Sequence, residues 1–302
     1  MKNGKAKSIV EWTANVIFLV CAAFAIVAVL SITVYMIAKG TPALAKVGVT
    51  DLLFGTAWQP TADHPTYGIF YIICTSIIGT AVAIAIGVPV GILTAVFITE
   101  VSNKKLAAIV QPAVELLAAI PSVIYGLLGM MLLNPLMYKL EKHIFAGSTT
   151  HQFTGGANLL SAIIVLAIMI LPTVINISES SIRAVPREMR SASLALGASK
   201  IQTIFKVVLP VARSGIMSAI VLGVGRAIGE AMAITLVSGS SVNLPLPFNS
   251  VRFLTTAIVA EMGYAADEHR QVLFTIGLIL FFFIMVVNTV FAKLLSTNEK
   301  EK

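Results

Sequence analysis

The sequence predicts an all-α polytopic membrane protein of about six transmembrane helices, and three observations carry that prediction. The chain is 57% hydrophobic and only 12% charged over 302 residues, against roughly 45–50% and 25% in soluble domains. Its apolar residues come in runs of about 20 or more, the length a helix needs to cross a bilayer core about 30 Å thick, and they lack the polar outer face of soluble core helices. The basic residues sit at the ends of these runs, alternately dense and sparse.

The first expected span covers 14–38, after Lys2, Lys5 and Lys7. It is too long for the apolar region of a secretion signal, and Val20 before Cys21 is not the small residue that a lipoprotein cleavage site needs. Further spans are expected at 68–99, 112–136, 158–178, 214–238 and 271–295, within one membrane domain over 14–295 flanked by extensions 1–13 and 296–302. The segment 251–266 is apolar but short, so it reads as a re-entrant or interfacial helix. Basic residues at the N-terminus, at Lys104 and Lys105, at Arg183, Arg187, Arg190, Lys200, Lys206 and Arg213, and at Lys293, Lys300 and Lys302 outnumber those of the alternate loops. Those loops hold Lys39, Lys46, Lys139, Lys142, Arg252 and Arg270, so both termini are expected in the cytoplasm. The net charge of +7 forms no continuous stripe and does not point to nucleic acid. Cys21 and Cys74 lie inside apolar segments and read as packing residues.

Residues 182–213 are too long and too patterned for a simple turn. Leu194, Leu196, Ile201, Ile204, Phe205, Val207 and Val208 place apolar positions on both sides of Gly197, with Pro186 near the start and Pro210 near the end. Helix, glycine break, helix is the reading. Such a hairpin either lays an apolar face into a groove on a partner or packs against the chain's own helix ends; pattern alone leaves both open.

Arg226 and Glu230 stand four residues apart, on one face if the helix is continuous. An ionisable residue at membrane depth costs at least about 2.5–3.5 kcal/mol and normally faces an interior or a pathway. A guanidinium offers a planar fork of donors to a tetrahedral anion, and a nearby carboxylate would weaken the hold enough to permit release. The alternative is an ion pair that only positions helices; the cost of placing charge in lipid favours the pathway. Gly225 and Gly229 are expected to form a close helix-packing face, and Gly87 and Gly91 likewise around Pro89. Ser122 after Pro121 and Thr173 after Pro172 mark points where spans could bend and expose polar groups to a pathway, although capping and packing are the default reading for both. Glu115 is expected at the start of the third span, favoured there by the helix dipole.

No Gly-x-x-x-x-Gly-Lys-Ser/Thr phosphate cradle occurs, nor any recognisable hydrolase motif, so no enzyme and no cofactor are expected. His64, His143, His151 and His269 lack metal-site spacing and read as solvated outer-loop residues.

Gly197, nine further residues and Val207-Val208-Leu209-Pro210 resemble the loop by which bacterial ABC importer permeases dock their ATPases. Ser191-Ala192-Ser193 stands where that pattern has Glu-Ala-Ala. The stretches VELLAAIPSVIYGLLG at 114–129, LAIMILPT at 166–173 and LPVARSGIMSAIVLGVGRAIGEAMAIT at 209–235 resemble the phosphate-specific (Pst) permeases. The stretch from Leu53-Phe54-Gly55-Thr56 to Trp58-x-Pro60 resembles their C-type rather than A-type subunit. The resemblance implies an ABC importer type I permease fold in a bacterial inner membrane, with Ser191, Ala192, Gly197, Leu209 and Pro210 contacting an ATPase and Arg226 and Glu230 serving transport. It further implies a second, A-type permease subunit, two copies of a cytoplasmic ATP-binding subunit, and an external binding protein delivering phosphate. Rival expectations are an ABC permease for molybdate or sulfate, a secondary transporter with Glu230 as its coupling carboxylate, and a non-transporting membrane scaffold or sensor.

Overall fold

A computed structural model describes residues 2–300, with side chains described for 11–290 and 293. Lys2, Lys5, Lys7, Lys300 and Lys302, part of the basis for the orientation, lie outside the residues whose side chains are described. Among the described residues, 5 helices are long and apolar enough to cross a membrane, and a bent pair makes up to 6 crossings.

The long helix α1 (Lys2–Val47) is followed by α2 (Val49–Phe54) and a two-stranded hairpin, β1 (Trp58–Gln59) against β2 (Thr66–Tyr67), with Trp58 opposite Tyr67. Helix α3 (Phe70–Val96) continues through a π turn to Val101, and α4 (Lys104–Ala119) returns from it. Then come α5 (Ser122–Leu128), a π turn, α6 (Asn134–Ile144) and α7 (Leu159–Arg183). The hairpin follows: α8 (Arg187–Ala195), α9 (Lys200–Thr203), a π turn over Ile204–Val208 and α10 (Leu209–Val211). Helices α11 (Arg213–Gly229), α12 (Met232–Val237), α13 (Leu254–Glu261) and α14 (Asp267–Lys300) complete the chain.

Helix α7 is the central element, with 61% of its most apolar window buried against 0% for α1. Its apolar residues Ala162, Leu166, Met169, Ile170 and Val174 are fully or almost fully enclosed by α3, α11 and α12. Helix α1 leans on α14, where Thr275 Oγ1 donates to Gly40 O at 2.8 Å and the Tyr35 and Phe274 rings meet edge to face at 5.6 Å. The end of α1 thus meets the start of α14, so the two are antiparallel, and the start of α1 and the end of α14 lie at one end of the bundle. The hairpin lies at that same end, beside the C-terminal turns of α3 and α7.

Two expected spans are divided. The helix placed at 112–136 breaks at Ile120, which is extended (ψ 127°) because a following proline disfavours the helical region. Tyr125 Oη caps the break by donating to Leu117 O at 2.7 Å, and the crossing helix runs from Ser122 to Ile144. Glu115 therefore lies late in α4, bonded by Gln111 Nε2 at 3.3 Å, and not at a helix start. The helix placed at 214–238 breaks at Glu230, also extended (ψ 129°), while α11 makes a 70° bend with the arm before it. The apolar stretch 251–266 turns back into the bundle. Phe253 covers Gly79 of α3, and Leu254 N donates to Ser76 Oγ at 2.8 Å.

Candidate functional site

The break after Gly229 decides how the charged residues are used. Arg226 occupies the last turn of α11, where a cation complements the negative end of the helix dipole. It reaches across to α7, donating from Nη1 to Thr173 Oγ1 at 3.2 Å, and its charge also bears on Tyr125 of α5. No ion pair joins it to Glu230 among the described residues. Because the helix ends at Gly229, the fourfold spacing does not place the two side chains together. Glu230 instead accepts from Ala233 N at 2.9 Å, holding the start of α12, and its own carbonyl accepts from Thr255 Oγ1 at 2.7 Å. Two half-helices therefore meet beside a guanidinium that has a hydroxyl but no carboxylate on it, leaving its charge able to attract an anion.

Of the four sequence-derived pathway residues, Arg226 and Thr173 are in contact. Glu230 is next to them in the chain but committed to backbone, and Ser122, half-buried at the start of α5, makes no hydrogen bond to the other three. Sequence reasoning passed over Tyr125 and Gly126. A side chain on Gly126 would come within 2.7 Å of Ala233 Cα, so only glycine lets α5 lie this close to α12. The Tyr-Gly pair just past Pro121 was the available signal.

Of the two expected glycine faces, the one at Gly87 and Gly91 packs closely, and the one at Gly225 and Gly229 does not pack within this chain. Gly87 and Gly91 admit Ile170 and Val174 of α7 at 2.6 and 2.8 Å from the missing Cβ positions, and Gly223 of α11 admits Val174 at 2.9 Å. A Cβ on Gly225 or Gly229 would meet nothing within 4 Å. Those two lie on the outer side of α11, roughly opposite the buried face that carries Gly223, so they pack no helix of this chain.

At the hairpin end, α8 closes at Gly197, whose φ of 86° suits glycine, with Gly197 N donating to Leu194 O at 3.0 Å. The second arm starts from a capping box between Ser199 and Gln202. Leu196 is 90% exposed at the tip, flanked by exposed Leu194, Ile201 and Phe205, while Ile204 and Val208 are buried against Ala95, Ile98 and Ile182. One apolar face is thus fastened to the bundle and another is bare. Ser191 turns its hydroxyl back onto Arg187 O and Glu188 O, both at 3.1 Å; Ala192 and Pro210 are exposed, and Leu209 is half-buried.

At the opposite end, two histidines depart from the solvated expectation while His64 and His143 are exposed. His269, 7% exposed, lies 2.8 Å from Glu261, which also receives Arg252 and, at 3.2 Å, Trp58 Nε1. His151 lies 2.8 Å from fully buried Glu141, bonded in addition by Thr154 N at 3.0 Å, and stacks on Phe145. A carboxylate cannot be buried unpaired, and these side chains satisfy it. Near the first cluster, burial, and after it the Glu268 carboxylate, raises the Tyr67 phenol above its ordinary value, so it remains a neutral ring partner.

The family described as the inner membrane component of binding-protein-dependent transport systems matches residues 87–298. "Probable ABC transporter permease protein YqgH" of Bacillus subtilis is 37% identical, over 92% of this chain and 89% of that protein. The phosphate transport system permease protein PstC of Xylella fastidiosa is 34% identical, over 92% of this chain and 89% of its own. Among solved structures, a bacterial alginate ABC transporter bound to its alginate-loaded periplasmic protein superposes with a TM-score of 0.59 over 89% of this chain and 92% of that one, at 15% identity.

Proposed function

Because this chain belongs to the family of inner membrane components of binding-protein-dependent transport systems, we propose that it forms half of the pathway by which an ATP-driven importer takes up inorganic phosphate, with Arg226 as a contact for the anion inside the membrane. The chain has the ABC importer permease fold and is a transport subunit, not an enzyme; ATP is hydrolysed by a separate subunit. It works with other ABC subunits and a substrate-binding protein. Phosphate is the substrate class because relatives sharing about a third of its residues along nearly its whole length are phosphate permeases.

Within that frame, the observation that supports the role of Arg226 is its position in the last turn of a broken helix, facing a threonine hydroxyl with no carboxylate neutralising it. A phosphate oxygen passing the break can displace the Thr173 contact and gain a charge-assisted bond, and the hydroxyl is there to take the guanidinium back when the anion leaves. The partner half is a similar A-type permease, whose face would meet the open Gly225 and Gly229 side of α11. The lysine and arginine bias puts both termini and the hairpin in the cytoplasm. There the bare Leu194, Leu196, Ile201 and Phe205 face is the surface an ATPase groove would cover, with Ser191, Ala192, Gly197, Leu209 and Pro210 shaping or flanking it.

The test is reconstitution of the complete transporter in liposomes with ATP and binding protein supplied. ATP-dependent uptake of labelled phosphate in excess of sulfate, insensitive to a protonophore, is the expected result. Equal sulfate uptake would overturn the substrate, and uptake without the ATPase would overturn the coupling.

A further inference from the structure

We propose that Arg190 is the positioning residue through which movement of the hairpin reaches the substrate path, so that without it ATP is consumed with little phosphate moved; this rests on the importer reading above. Helix α8 contributes no buried residue, so apolar packing does not fasten it to the bundle. Its side-chain attachments beyond its own helix, among the described hydrogen bonds and ion pairs, are two. Ser193 meets Thr203 at 3.0 Å, which only closes the hairpin on itself. Arg190 does the rest: Nη2 donates to Ile182 O at 2.7 Å, Nη1 donates to Val185 O at 3.0 Å, and Nη2 lies 3.0 Å from Glu100 Oε1.

The second arm is held differently. Ile204 and Val208 sit in the apolar cluster with Ala95, Ile98 and Ile182, and such packing has no preferred direction. A rigid guanidinium fork is directional, and here it engages three acceptors, one in the last turn of α7, one just beyond it and one in the π turn after α3. Besides the short chain link through Val185, which is itself buried beside Ile182, Arg190 is therefore the directional tie of the first arm to the bundle among the described hydrogen bonds and ion pairs.

That tie is made to the rod that carries the anion site. Ile182 is in the last turn of α7 and Val185 just beyond it, where terminal carbonyls lack intrahelical partners and carry the negative end of the dipole. Thr173, the acceptor for Arg226, lies nine residues earlier on the same helix, about 14 Å along its axis. Glu100 lies in the π turn that continues α3, the helix that meshes with α7 through Gly87 and Gly91. One side chain thus ties the ATPase-facing arm to the helix pair that holds Thr173 against Arg226.

The experiment reads phosphate taken up per ATP hydrolysed by the complete transporter in liposomes, a ratio that a merely structural defect leaves constant because both terms fall together. Arg190→Ala is expected to keep hydrolysis within about twofold of the original while the ratio drops by about tenfold, within the range by which residues that carry coupling act. Arg190→Lys, which keeps the charge and can reach an acceptor, is expected to recover part of the ratio. Glu100→Gln leaves both carbonyl bonds in place and should lower the ratio by a smaller factor. An unchanged ratio in Arg190→Ala overturns the proposal. Should that variant not assemble, an unchanged ratio in Glu100→Gln overturns it instead. An unaltered complex that takes up no phosphate would overturn the importer reading, and this proposal with it.

Discussion

Arg226 is tolerated at membrane depth by a hydroxyl, a helix C-terminus and an open face, with its nearest carboxylate in the chain engaged elsewhere. Replacing it with alanine should cut phosphate uptake by at least about tenfold, as expected for losing one charge-assisted contact of about 1.5–3 kcal/mol, while the complex still assembles; uptake assays with a pull-down of the subunits check this. Glu230 makes a sharper case. Glu230→Gln keeps an oxygen for Ala233 N and should retain most uptake, whereas Glu230→Ala removes a contact of the capping kind, about 0.5–2 kcal/mol, and should lose more. Equal loss in both variants would mean that ionisation matters and not the cap. Both residues were legible in the sequence, since charge inside an apolar run is conspicuous. Their separation was not, because Thr255 and α13, which take up the exposed backbone at Glu230, come from a distant stretch. His269 misled for the same reason, since Trp58 joins its Glu261 cluster only in the folded chain; His151 misled although its partners Glu141 and Phe145 are near in sequence, because their burial is not visible there.

Among the elements, the crossing helices were readable from hydropathy, and the hairpin from Gly197 with its flanking apolar positions. The packing face at Gly87 and Gly91 was readable as well, whereas the one at Gly225 and Gly229 was not, because spacing alone does not say which side of a helix meets its own chain. Gly87→Ala would drive a methyl to 2.6 Å from Ile170 Cδ1 and 3.0 Å from Ala167 O. Thermal unfolding in detergent should show a destabilisation of about 1–3 kcal/mol, the usual range for overpacking. Gly229→Ala meets open space in this chain and should leave its unfolding unchanged, with any effect confined to the assembled transporter. Equal destabilisation by the two would contradict the packing described for α3 and α7.

Across the molecule, the Glu261 cluster joins the β1–β2 hairpin, α13 and α14 through Trp58, Arg252 and His269. Glu261→Ala would leave the largely buried Arg252 without a carboxylate, at a cost of up to about 3–5 kcal/mol, and should lower the midpoint of unfolding far more than His64→Ala, which alters an exposed side chain. The pairing of α1 with α14 has a consequence for how the protein is made. Helix α1 leaves the ribosome more than 200 residues before its long neighbour α14, so closure of this side of the bundle waits until α14 has been made. A nascent chain arrested before Asp267 would hold a lone greasy rod in the bilayer, ready prey for membrane quality control.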